Sequence, residues 1–337
     1  MGSFETKKGA GMKAILVFEI GGPEKLQYCD VPTPQPAAGQ ALVRLAAIGV
    51  NFIDIYYRTG LYKSELPVAI GMEGAGVVES VGEGVTEVTP GDRVAYAMPR
   101  GSYAEYHVVP AWQLVKLPDA IDFQTAAAVM LQGMTAHYLT RSTFPLKPGD
   151  SCLVHAAAGG AGLMTVQMAK LAGATVIGTV GNEEKVKVAS AAGADAVINY
   201  SRQDFEAEVK RMTGGKGVDV VYDSVGAATF MKSINCLRPR GMMVTFGNAS
   251  GPAPPVEPLL LSQKGSLFLT RPTLGAYAAT RQELLWRAGD TLRWVAEGKL
   301  AVRIQKVYPL ADAAQAHIDL ESRKTTGKLL LAPRSTP

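Results

Sequence analysis

The stretch HAAAGGAG, residues 155–162, decides how this chain folds. The apolar run Cys152-Leu153-Val154 leads into it, and a helix-forming run from Leu163 to Leu171 leaves it. Small residues at a strand-to-helix turn permit a tight bend and let a ligand approach backbone N–H groups. The spacing is Ala157-x-Gly159-x-x-Gly162, with alanine where a dinucleotide-binding turn usually has its first glycine. The following helix would aim its N-terminal N–H groups and positive dipole end at phosphate. Such a match means little without its context. Here Pro148-Gly149-Asp150 opens the strand, Gly173 closes the helix, and Ala174–Val180 supplies the next strand. Ala157, Gly159, Gly160 and Gly162 are therefore the expected cofactor-binding turn. The alternative is a small-residue packing contact with no ligand.

Working outward, residues 136–271 alternate strand and helix. Strands are expected at Ser151–His155, Thr175–Thr179, Ala196–Tyr200, Val218–Asp223, Met242–Phe246 and Leu267–Thr270. Helices are expected at 162–172, 182–191, 203–212 and 227–237, and ASGPAPPVEP (249–258) reads as a proline-rich loop. This is βαβ repetition, hence a doubly wound, mostly parallel sheet and an α/β fold. Residues 12–135 are instead rich in short strand signals such as ALVRLAAIGV (41–50) and GDRVAYA (91–97), and read as a mostly β unit. Residues 272–337 hold helices near 280–297 and 311–321 and strands near 303–308 and 327–332. That is too little for a core of its own, so 272–337 is expected to pack on 12–135, making the nucleotide domain an insertion.

The 337 residues suffice for about two domains. A net charge of +4 without any basic block argues against nucleic acid as a main partner. No apolar run reaches the roughly 20 residues of a membrane span. Residues 1–11 lack the apolar centre of a signal peptide and read as a disordered lead-in. Cys29, Cys152 and Cys236 match no disulfide or metal spacing, which favours a reducing cytoplasm.

The end of the second strand selects the cofactor. An acid there would bind the ribose hydroxyls of NAD and repel a 2′-phosphate. The sequence is Thr179-Val180-Gly181-Asn182, with no acid at the tip. Glu183 and Glu184 fit the first turn of a helix capped by Asn182. Lys185 is placed to reach a phosphate, and Tyr200 to close over the same place. This favours NADP(H). The alternative for Lys185 is an ordinary solvent-facing helix lysine.

Several ordered blocks now add up. IGVNFIDIYYRTGLY (48–62), GMEGAGVV (71–78), GDRVAY (91–96), HAAAGGAG (155–162), GADAVINY (193–200), VYDSVG (221–226), MVTFGNASG (243–251) and LTRPTL (269–274) resemble the quinone oxidoreductases of the medium-chain dehydrogenase/reductase superfamily, the zeta-crystallin-like branch. The resemblance runs from Met12 onward. It implies a GroES-like β-rich catalytic domain (12–135 and 272–337) and an inserted Rossmann NADPH-binding domain (136–271). It also implies a homodimer through the sixth Rossmann strand, near GSLFLTRP (265–272).

The zinc alcohol dehydrogenases of that superfamily place a Cys and a His where this chain has Asn51 and Met72, both poor zinc ligands. His107, His137, His155 and His317 form no evident substitute, so no metal is expected. A quinone needs none: it is strongly electrophilic and becomes aromatic on reduction, so orientation and hydrogen bonding suffice. The resemblance implies Asn51, Tyr56, Tyr62 and Thr135 as the catalytic pocket. Asn51 would donate to a carbonyl oxygen or to the nicotinamide amide, and the tyrosines would stack on a flat ring. Aromatic packing is the alternative for Tyr56 and Tyr62, and a helix position near the domain junction for Thr135. For NADPH the resemblance adds Gly181, Lys185 and Tyr200, then Ser224, Phe246, Gly247 and Asn248, then Arg271 and Lys328. A hinge ion pair is the alternative for Arg271. Rival functions are reduction of alkenals or enones, and an NADPH-binding structural or RNA-binding role like that of crystallin relatives.

Overall fold

The computed structural model describes residues 11–333. The lead-in read at 1–11 lies outside these residues except for Gly11, which opens the first strand, Gly11–Val17. Two compact units divide the chain. One runs up to Leu131 and returns with Ile304–Lys324 and from Lys328 onward; the other comprises Gln132–Arg303 and Thr325–Gly327.

The second unit is the parallel sheet expected from the glycine turn. Its strand order is Ala196–Asn199, Thr175–Val180, Ser151–Val154, Val218–Asp223, Leu237–Thr245, Phe268–Thr270, and every pairing is parallel. In chain order that is 3-2-1-4-5-6, the doubly wound dinucleotide-binding order. The order reverses beside Ser151–Val154, so the glycine turn sits at the switch point. Val218–Asp223 is buried along its whole length, as a central strand covered on both faces must be. Leu153, Ile177, Ile198, Val221 and Met243 form the core with Phe205, Phe230 and Ile234 from the crossover helices.

The seam read after residue 271 falls at 303 instead. Helix Arg281–Ala296 belongs to the second unit. His137 explains this: its Nε2 meets Asp290 Oδ2 at 3.1 Å and its Nδ1 accepts from Arg287 Nη1 at 3.2 Å. A sequence reading cannot see that this amphipathic helix finds its partners at residues 132–138.

The first unit is β-rich. Its seven-stranded sheet holds Gln40–Val50 at the centre, paired antiparallel with Glu73–Val81, Tyr106–Pro110 and Lys328–Ala332. Register does the positioning. Leu329 lies opposite Val50, and Gly74 opposite Ile48. The neighbouring residues Lys328, Asn51 and Glu73 are thus delivered to one level at the ends of three adjacent strands. Ile15, Val43, Ile48, Val94, Tyr96 and Leu331 fill the core beneath.

Candidate active site

In the Rossmann unit the turn begins at Ala156, a non-glycine residue in the left-handed region (φ 51°). Helix Gly160–Leu171 starts straight after Gly159. A Cβ on Gly162 would lie 2.2 Å from the Ala156 carbonyl oxygen and 2.9 Å from Ala157 Cα, so only glycine lets the helix sit on the turn. The alanine at the first motif position is accommodated from the next strand. Ala157 is fully buried, and a Cβ on Gly178 would come within 2.8 Å of the Ala157 methyl. Gly160 differs from its neighbours: its missing Cβ points at the Gln132 side chain, 1.9 Å from Oε1. The turn gains a second strand-like partner, for Gly327 N–H donates to the Ala158 carbonyl at 3.0 Å.

Gly181 and Tyr200 meet at the ends of the second and third strands, where a Cβ on Gly181 would be 2.8 Å from the Tyr200 hydroxyl. Asn182 caps the next helix by accepting from Lys185 N–H at 2.9 Å. Glu183, the acid nearest the tip, is spent elsewhere: it accepts from Asn199 Nδ2 at 2.8 Å and pairs with Arg202 at 3.2 Å. Burial lowers the Lys185 pKa, with Glu184 opposing. Ser224 and Gly247 bring their backbones together after the fourth and fifth strands. Arg271 Nη1 donates to Gly247 O at 3.1 Å and Thr245 Oγ1 at 3.3 Å, which braces the loop carrying Phe246, Gly247 and Asn248. Among the described residues Arg271 makes no ion pair. Thr135 is buried on helix Phe123–Tyr138. His155 is a core residue, bonded through both ring nitrogens to Thr179 and Ser233 at 2.8 Å, and burial lowers its pKa.

In the β-rich unit Asn51 ends strand Gln40–Val50 and precedes helix Phe52–Arg58. The tyrosines behind it cluster: the Tyr56 and Tyr62 rings lie 5.2 Å apart at 64°, and Tyr62 also meets Tyr57 edge-on at 5.7 Å. Two of the residues expected to meet a ligand are already bonded within the chain. Asn51 does not hold its amide free for a ligand: Nδ2 donates to Glu73 Oε2 at 3.0 Å and Gly49 O at 3.3 Å, while Oδ1 accepts from Lys328 at 2.8 Å. Lys328 belongs to the same cluster. Its buried ammonium pairs with Glu73 Oε2 at 2.5 Å, and the return to the glycine turn is made by Gly327. Glu73 Oε1 accepts from Leu131 N–H at 2.6 Å, and Gly49 makes room for this carboxylate.

A second buried chain lies beside this triad. Arg58 only donates, so His317 Nδ1 accepts from it at 3.0 Å; Nε2–H then donates to the Tyr103 hydroxyl at 3.0 Å, which donates to Asp54 Oδ2 at 3.1 Å. Burial, then the charge on Arg58, lowers the His317 pKa to about 3. Burial raises Asp54 to about 7 against the hydrogen bond from Asn51 N–H and the charge on Lys328. Glu73 in GMEG and Asp54 in NFID are not among the site residues expected from the sequence. The signal available was two acids in apolar surroundings, which a fold buries only with partners. Among the described residues no three His, Cys, Asp or Glu side chains converge on a metal site.

A Rossmann unit and a GroES-like unit in one chain define a dehydrogenase of the medium-chain type. Residues 37–119 match the alcohol dehydrogenase GroES-like domain, and residues 160–284 the zinc-binding dehydrogenase family. The chain is 49% identical over 323 residues to a quinone oxidoreductase of Pseudomonas aeruginosa, covering 95% of this chain and 99% of the relative. It is 44% identical to a 2-haloacrylate reductase of a Burkholderia species, covering 96% and 99%. The crystal structure of Escherichia coli quinone oxidoreductase complexed with NADPH superposes with a TM-score of 0.94 at 46% identity, covering 95% of this chain and all of that one. The chain belongs to the quinone oxidoreductase family.

Proposed function

We propose that this protein is an NADPH-dependent quinone reductase that works without zinc. The observation that carries the reading is the pairing of a dinucleotide turn with an acid-free second-strand tip. Gly162 lets the helix seat against the turn, and Glu183 is tied to Asn199 and Arg202 rather than turned to a ribose. In this reading the turn N–H groups hold the pyrophosphate. Lys185 pairs with the 2′-phosphate and Tyr200 covers the adenosine. Ser224, the 246–248 loop braced by Arg271, and Thr135 line the rest of the cofactor path. The reduced nicotinamide supplies the hydride. Tyr56 and Tyr62 present rings and hydroxyls to the acceptor, and Asn51 opens the same segment. The Lys328 ammonium already neutralises Glu73, so a divalent cation there would meet a positive charge.

Further parts of the reading are a homodimer through the edge strand Phe268–Thr270, whose Phe268 ring is exposed, and a cytoplasmic location in keeping with three free cysteines. The family likeness to a 2-haloacrylate reductase favours a second acceptor class, activated carbon–carbon double bonds. The test is NADPH and NADH oxidation with 1,4-benzoquinone after chelator treatment. Chelator-resistant turnover preferring NADPH is expected. Turnover of an enone but not the quinone would move the assignment to the second class, and NADPH binding without turnover of either would refute both.

A further inference from the structure

The buried triad Asn51–Glu73–Lys328 carries more than a packing role. Glu73 and Lys328 are 2% exposed or less, lie 255 residues apart in sequence, and meet at 2.5 Å. Gly49 is bare so that the carboxylate fits, and a Cβ there would be 2.1 Å from Glu73 Oε2. All three groups share one hydrogen-bond ring: Lys328 to Glu73, Lys328 to Asn51, Asn51 to Glu73. Two of the three ammonium hydrogens are thereby used. Two buried charges are costly to fold around, and an apolar pair of similar volume is often at least as stable. Their placement beside Asn51, the residue that opens the acceptor segment, points to a functional reason.

We propose that the Glu73–Lys328 pair is the charge balance of the acceptor site and sets its preference for uncharged acceptors over anionic ones. The inference rests on the reading that residues 51–62 line that site. With both partners present the pair itself adds no net charge beneath Asn51. Removing the carboxylate leaves one positive charge, which attracts an anionic acceptor and the oxygen charge that develops during reduction. Removing the ammonium leaves one negative charge, which repels both. Neither partner need touch the acceptor: they are positioning and specificity residues acting through Asn51 and through the field. A unit charge acting over roughly 8 Å changes the interaction of another charge by about twofold under water-like screening and about thirtyfold under protein-like screening.

The test uses 1,4-naphthoquinone and its 2-sulfonate with NADPH, comparing kcat/KM for the anionic over the neutral acceptor in wild type, Glu73→Gln, Lys328→Met and the double variant. The ratio is expected to rise at least threefold in Glu73→Gln, to fall at least threefold in Lys328→Met, and to return near wild type when both are changed. NADPH titration by fluorescence checks that each variant is folded. If Lys328→Met does not fold, the rise in Glu73→Gln and its reversal in the double variant decide the matter. Rates that fall equally for both acceptors, with the ratio unmoved, would show a purely structural pair and overturn the inference alone. A wild type that reduces neither quinone overturns the functional reading and this inference with it.

Discussion

Replacing Gly162 by alanine tests the dinucleotide turn most directly. The added methyl would lie 2.2 Å from the Ala156 carbonyl oxygen, 2.9 Å from the Ala156 carbonyl carbon and 2.9 Å from Ala157 Cα. These are backbone atoms, and Ala156 is already in the left-handed region, so the turn has little room to yield. Relieving the clash to an ordinary contact of about 3.5 Å moves helix Gly160–Leu171 off the turn by roughly 1 Å. Overpacking of this kind costs about 1–3 kcal/mol of stability. If the helix N-terminal N–H groups hold the pyrophosphate as proposed, the same shift carries them away from it, so NADPH affinity should fall at least tenfold, or about 1.4 kcal/mol. Gly160→Ala is the control. Its nearest neighbours would be the end atoms of the Gln132 side chain rather than backbone, so the fold should lose less stability than with Gly162→Ala. Urea denaturation and NADPH fluorescence titration read both quantities. The reasoning fails if Gly162→Ala binds NADPH like wild type, or if Gly160→Ala is equally damaging.

Three further outcomes follow from the same geometry. Lys185→Glu should weaken NADPH far more than NADH; equal loss for both would remove Lys185 from the phosphate site. Asp54 has a pKa of about 7 in the fold against an ordinary 3.8, so the folded state binds the extra proton. Its contribution is present in full below pH 3.8 and is lost as pH rises through 7. Asp54→Asn should therefore abolish a fall in urea midpoint between pH 4 and 7 that wild type shows, and parallel curves would refute the assignment. Phe268→Lys, on the edge strand, should convert a dimeric mass at micromolar concentration to a monomeric one by light scattering, whereas a monomeric wild type would remove the dimer.

Local patterns were legible in the sequence because their causes are local. The glycine turn, the strand at Val218–Asp223, and the helices at Glu183–Ala191 and Arg281–Ala296 each follow from spacing and caps within a few residues. The missing acid at Gly181 and the missing zinc ligands at Asn51 and Met72 are likewise single-position facts. Tertiary structure alone decided where residues 272–303 pack, because a helix's apolar face does not name its partner. It also decided what Asn51 and Lys328 do. In sequence they are an amide and a cation free to meet a ligand. In the fold, sheet register sets them beside Glu73, and this buried carboxylate draws its hydrogen bonds from an amide and a cation that lie far from it in sequence.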